Sequence, residues 1–150
     1  MGLHKKIETP ERLWFLFLEF KTWLKQTPLY KNEFNAKVGD IVSIPLERPL
    51  TWSRFDCYVN DLGILTDLED YRTNRDDRYS DFGGVVTRIN REMHADKFEG
   101  ASVGIFNSNI IARDLGLVDK KETEHSGEIK SAPLTPEIAK AISKRLDENI

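Results

Sequence analysis

What this chain lacks narrows its options. It holds one cysteine in 150 residues, so no disulfide can close within it. His4, His94 and His125 stand too far apart to share a metal-ligand spacing with Cys57 or with a carboxylate pair. Cys57 lies in Arg54-Phe55-Asp56-Cys57-Tyr58-Val59, which reads as the buried face of a helix. No run approaches the ~20 apolar residues that a bilayer crossing requires, and Met1 to Glu8 has no apolar signal core, so a soluble, non-secreted protein is expected. No Gly-rich loop followed by Lys and Ser or Thr is present, and Gly83-Gly84 falls inside a helical pattern, which argues against ATP hydrolysis. Positive charge is short as well. With 22 Lys and Arg against 25 Asp and Glu, the net charge of −3 excludes a protein that coats nucleic acid by bulk attraction, and any DNA contact must come from a local patch. The acidic pairs Glu69-Asp70 and Asp76-Asp77 have the chemistry to hold magnesium, but Arg75 and Arg78 flank them and the stretch reads as a solvated, salt-bridged loop. No metal, cofactor or catalytic residue is expected.

What remains suits one main domain with an appended element. The apolar fraction of 39% and charged fraction of 31% are those of globular chains, so a core is expected. Thr9-Pro10-Glu11 is a helix start, and Leu13, Phe17, Phe20 and Leu24 recur at helical spacing up to about Gln26, before Pro28. Trp14, Leu16, Leu18 and Trp23 widen that apolar surface beyond one stripe, so it needs neighbours on more than one side. From Leu29 to Glu47 the residues favour strands, with a turn at Val38-Gly39-Asp40, which predicts a β-hairpin. Thr51 then caps a helix with Phe55, Tyr58, Val59 and Leu62 inward, stopped at Gly63. Thr66 would cap a further helix to about Asn74, giving Leu50 to Asn74 the punctuation of a helix-turn-helix. The second helix of that pair opens with Asp67, Glu69 and Asp70, which suits solvent better than phosphate.

Ser80 is the expected cap of the longest helix, with Phe82, Val86, Ile89 and Met93 in phase and small residues at Gly100-Ala101-Ser102 that permit close approach, within one subunit or between copies. A short helix, Asn109 to Leu115, stops at Gly116. Glu128 to Ala132 reads as a brief strand that needs partners. Thr135-Pro136-Glu137 starts a last amphipathic helix with Ile138, Ala141, Ile142 and Leu146 on one side and Lys140, Lys144 and Arg145 outside.

Two stretches carry a family likeness. KFEGASVGIFNSNIIARDLGLVDKKE, from Lys97 to Glu122, resembles the Lys-Phe-x-Gly-Ala and Asn-x-Asn-Ile-Ile-Ala-Arg-Asp-Leu-Gly-Leu signature of small terminase subunits from short-tailed, headful-packaging phages. TPERLWFLFLEFKTWLKQTPL, from Thr9 to Leu29, is similar to their opening helix, RPLTWSRFDCYV to their next helix, and YSDFGGVVTRINREMHADKFEGA, from Tyr79 to Ala101, to their central helix. The resemblance covers about Glu8 to Lys121. It implies a mainly α, ring-forming fold with a short C-terminal strand that subunits combine into an inter-subunit β-barrel; with the residue readings above, the expected architecture is a helical bundle with an N-terminal β-hairpin insertion and the helix-turn-helix pattern. The expected organisation is an N-terminal helical region (1–78), a central oligomerisation core (79–121) and a C-terminal strand and helix (122–150).

The resemblance further implies a non-catalytic protein of the infected host cell's cytoplasm, absent from the mature virion. Such a protein recognises double-stranded viral DNA at the packaging-initiation site, delivers it to the large terminase subunit, and modulates that partner's ATPase and nuclease. Its partners are that DNA, the large subunit and further copies of itself in a homo-oligomeric ring, a nonamer being the expected size; no membrane is expected. The expected DNA contacts are Arg54, Arg72, Arg75 and Arg78, with Lys140, Lys144 and Arg145 as the rival patch. The expected contacts between copies are Phe82, Val86, Ile89, Met93, Gly100, Ala101 and Ile129. Asp147-Glu148-Asn149-Ile150 is no basic tail, so a tail-based grip on DNA is doubtful. The alternatives are a dimeric helix-turn-helix transcriptional regulator, against which the acidic second helix speaks, and a purely structural ring adaptor without DNA affinity.

Overall fold

The computed structural model describes residues 4–117 and 136–148, and it is mainly helical with one antiparallel hairpin. Its internal contacts fall into two units, residues 1–116 and 117–150. The expected strand at Glu128 to Ala132, with Ile129, lies outside the described residues.

In the first unit, α1 spans Pro10–Gln26. Thr9 caps it, its Oγ1 accepting from the Arg12 N–H at 3.2 Å, and Pro10 opens it where a missing N–H costs nothing. Leu13, Leu16, Phe17, Phe20 and Leu24 are buried along it. The strands β1 (Leu29–Asn35) and β2 (Asp40–Leu46) pair with Leu29 opposite Leu46 and Asn35 opposite Asp40. Their turn is closed by Asn35: its carbonyl accepts from Val38 and Gly39, its side chain accepts from Lys37, and Gly39 takes the left-handed conformation at φ 73°.

Helix α2 (Trp52–Asp61) is capped by Thr51 as expected and ends at Gly63, whose φ is 71°. Phe55 and Val59 are buried one turn apart, and they set the helix phase. Two expectations fall with that phase. Cys57 lies on the far side and is exposed, and Leu62, past the last helical residue, also faces solvent. Helix α3 is only Glu69–Thr73, and Thr66 does not cap it. Instead Asp67 Oδ1 accepts from the Glu69 N–H at 3.0 Å, and Asp56, reaching from α2, accepts from the Leu68 N–H at 2.9 Å.

Ser80 is not the cap of the long helix either. It opens a one-turn 3-10 helix, Ser80–Phe82, which runs directly into α4 (Gly83–Ser102). Helix α5 (Ser108–Asp114) is capped by the Asn107 side chain and followed by Gly116 at φ 70°.

One core joins these elements. Helix α1 packs on α2 and α4, while α3 and α5 each pack on α4. Phe20 and Phe55 stack at 4.8 Å with Phe17 edge-on to Phe55, and Tyr71, Tyr79 and Phe82 form a second aromatic group. Each buried ring contributes about 1.5–3 kcal/mol through area alone. The Tyr71 hydroxyl accepts from the Ile7 N–H at 3.0 Å, which fastens the segment before α1 to the core. Lys25 Nζ meets Asp96 at 2.6 Å and Glu47 at 2.8 Å, and Asp96 also accepts from the Leu50 N–H at 2.8 Å. That cluster ties α1, the irregular segment following the hairpin and α4 together at the hairpin's root.

In the second unit, α6 (Pro136–Asp147) has Glu137 in its first turn and Lys144 and Arg145 in its last, the charge order a helix dipole favours.

Candidate nucleic-acid and subunit interfaces

The arginines expected to touch DNA do not stand alike. Arg54 is exposed on the first turns of α2, and among the described residues no carboxylate is in salt-bridge range of it. Arg72, at the end of α3, lies over the Trp52 ring at 4.7 Å and reaches Asp56 at 3.9 Å. Arg75 is held by Asp70 at 2.9 Å. Arg78 follows in the same exposed loop, where Asn74, Asp76 and Asp77 all have left-handed φ angles. Between Asp67 and Arg78 five carboxylates outnumber three arginines, so that loop is net acidic and a phosphate would have to displace existing partners. Burial lifts the Asp56 carboxyl above its ordinary pKa, against the opposing pull of the Leu68 N–H and Arg72.

On α6, Lys140, Lys144 and Arg145 are all exposed. Lys140 and Lys144 stand one turn apart on the side opposite Ile142.

Sequence reasoning passed over Arg48. Its guanidinium lies over Trp23 at 5.6 Å and donates to the Thr27 carbonyl at 3.2 Å; burial, and then the nearby charge of Arg54, pull its pKa below the ordinary value. Trp23 in turn meets Tyr58, one turn along α2 from Arg54. Arg48, Arg54 and these rings thus form a basic and aromatic surface. Arg88 covers Trp14 in the same manner at 3.8 Å. The partners are distant in sequence, so no local spacing announced them.

The residues expected to join copies are placed mainly inside one subunit. Phe82, Val86, Ile89 and Met93 belong to the same buried core as Leu13 and Phe55. Gly100 is buried against the Phe106 ring, where a Cβ would collide, and Ala101 is half-buried beside it. Large apolar side chains are open to solvent elsewhere, on α1 at Phe15 and Leu18 and on the hairpin at Tyr30, Phe34 and Ile41.

Among the described residues no group of three or more His, Cys, Asp or Glu is placed to hold a metal ion, and no helix is long and apolar enough to cross a membrane. Among the described residues, the surface of this mainly helical unit carries open grooves and arginines stacked on tryptophan rings.

The chain is 32% identical over 125 residues to the terminase small subunit of Salmonella phage P22, a match covering 82% of this chain and 73% of that protein. No protein-family model matches the chain. At that identity and coverage the chain belongs to the small terminase subunits, as the likeness at Lys97 to Glu122 and Thr9 to Leu29 implied.

Proposed function

We propose that this chain recognises viral DNA where packaging begins, assembles as a ring of identical copies, and hands the DNA to the large terminase subunit while regulating that partner's ATPase and nuclease. The observation that carries the reading is the relationship to the phage P22 protein over most of the chain. The chain itself performs no catalysis and acts in the cytoplasm of the infected cell, outside the finished particle.

A subunit of net charge −3 holds a duplex weakly, and a ring that aims the same small basic patch from every copy at one duplex multiplies that grip. We assign the first phosphate contacts to Arg54 with Arg48 beside it, and to Lys140, Lys144 and Arg145 on α6. Arg72, Arg75 and Arg78 contribute less, because acidic neighbours surround them. The test is a salt titration of binding to DNA from the packaging region. Replacing Lys140 and Lys144 by Glu lowers the slope of log affinity against log salt by about 0.9 for every phosphate that each copy no longer neutralises. An unchanged slope for those variants and for Arg54→Glu removes the assignment, and no binding by the wild type removes DNA recognition itself.

A further inference from the structure

The hairpin has two unlike faces. Directly opposed residues in an antiparallel pair share a face. One face therefore carries Lys31, Glu33 and Asp40, with Lys31 and Glu33 ion-paired, Val42 and Ile44 half-covered between charges, and the exposed Leu29 and Leu46 opposed at its root. The other consists of Tyr30 opposite Pro45, Asn32 opposite Ser43 and Phe34 opposite Ile41, without a single charge. Tyr30, Phe34 and Ile41 are 66%, 69% and 65% exposed there. Two strands alone are marginal in water, so a sheet this small with a bare aromatic face gains from being covered.

A matching surface exists on the same chain. Phe15, Leu18 and Thr22 follow helical spacing along the outer side of α1, where with Trp23 they line an open groove of about 470 Å³; Phe15 is 58% exposed. Glu11 and Glu19 flank Phe15 one turn away on either side, Glu19 also lining the groove, while the hairpin tip carries the exposed Lys37, a charge of the opposite sign, with Asp40 on the hairpin's other face.

We propose that the uncharged hairpin face of one copy seats in the α1 groove of a second copy, so that copies join head to tail. Ring closure favours this over two hairpins meeting face to face. One face of two seven-residue strands measures roughly 23 Å by 10 Å, about 230 Å², far below the ~800 Å² per partner of a stable pair. A dimer so joined falls apart, whereas in a closed ring each copy is gripped twice, once by its hairpin and once by its groove. The inference rests on the reading that copies assemble, and it names the surface by which they do so.

The test starts from full-length protein with Cys57→Ser, which removes the one native thiol. Phe34→Cys and Leu18→Cys are added singly and together, and the samples are oxidised and run without reductant. The pair yields a ladder of covalent multimers, and neither single variant does. Dimers from Phe34→Cys alone overturn the proposal, because hairpins then meet each other. In a second arm, Phe34→Asp with Ile41→Asp raises the concentration for half-assembly by about 30-fold with far-ultraviolet circular dichroism unchanged. Wild-type assembly by that variant overturns the proposal, including where it has lost binding to the large subunit. A wild-type chain that stays a single copy sinks the packaging reading as well, whereas a wild type that assembles with no ladder from the paired cysteines sinks only the hairpin contact.

Discussion

Substituting Gly100 by alanine separates a contact inside the subunit from one between copies. A Cβ at Gly100 falls well inside van der Waals range of Cδ2 and Cε2 of Phe106 and 3.2 Å from its Cγ. Unstrained carbons sit about 3.5–4.0 Å apart, so the ring has to retreat. Its backbone cannot follow, since the N–H groups of Ile105 and Phe106 both donate to the Gly100 carbonyl, at 2.8 and 3.1 Å. Overpacking of this kind costs about 1–3 kcal/mol. Alanine in a helix gains back about 1 kcal/mol over glycine. Gly100→Ala is therefore expected to lose roughly 0–2 kcal/mol, toward the low end because Phe106 is only half-buried and can rotate outward. In a Phe106→Ala background the collision is gone, and the same substitution stabilises by about 1 kcal/mol. Urea unfolding of the four proteins, at several protein concentrations so that assembly is accounted for, gives the coupling directly. A coupling under about 0.5 kcal/mol, with Gly100→Ala stabilising the parent, refutes the account of this packing.

Three further outcomes follow from the same geometry. Asp56 has a pKa raised by burial, so its native form holds the proton more tightly than the unfolded chain; the associated stability is present below about pH 3.9 and is lost as pH rises through the folded value. Asp56→Asn keeps an acceptor for the Leu68 N–H, and thermal melts should show stability at pH 7 no lower than wild type with a flatter dependence above pH about 4; a pH-independent loss over 1 kcal/mol contradicts this. Tyr71→Phe leaves the buried Ile7 N–H without its acceptor and costs about 1–3 kcal/mol by chemical denaturation at pH 7. Burial also raises the Tyr71 phenol, so the wild type loses stability above pH about 10 and the variant lacks that component. Asp96→Ala strips Lys25 and the Leu50 N–H of a charged acceptor, with an expected loss of about 1.5–3 kcal/mol and earlier hydrogen exchange at the hairpin root; unchanged exchange there would count against the cluster's role.

The parts legible in the sequence were those set by neighbours in the chain. Thr9 and Thr51 cap with their own third-following N–H, and the Asn35 to Asp40 turn is closed by local bonds, so α1, the hairpin and the start of α2 could be read residue by residue. Thr66 and Ser80 misled because tertiary partners took over: a carboxylate from α2 holds the entry to α3, and Phe82 draws the chain into a turn continuous with α4. Periodicity also revealed that Phe82, Val86, Ile89 and Met93 are covered, but not by what; α1 and α3 supply the cover. Cys57 needed the helix phase, which Phe55 and Val59 fix. The arginine-on-tryptophan contacts join residues distant in the chain, and no pattern in one sequence encodes them.

If this chain is required to start genome packaging, the most direct measurement is a count of filled heads in cells infected by phage lacking it. Empty capsids and unpackaged DNA are predicted, with filled heads restored when the wild-type chain is supplied from a plasmid. Normal numbers of filled heads in its absence would contradict that requirement.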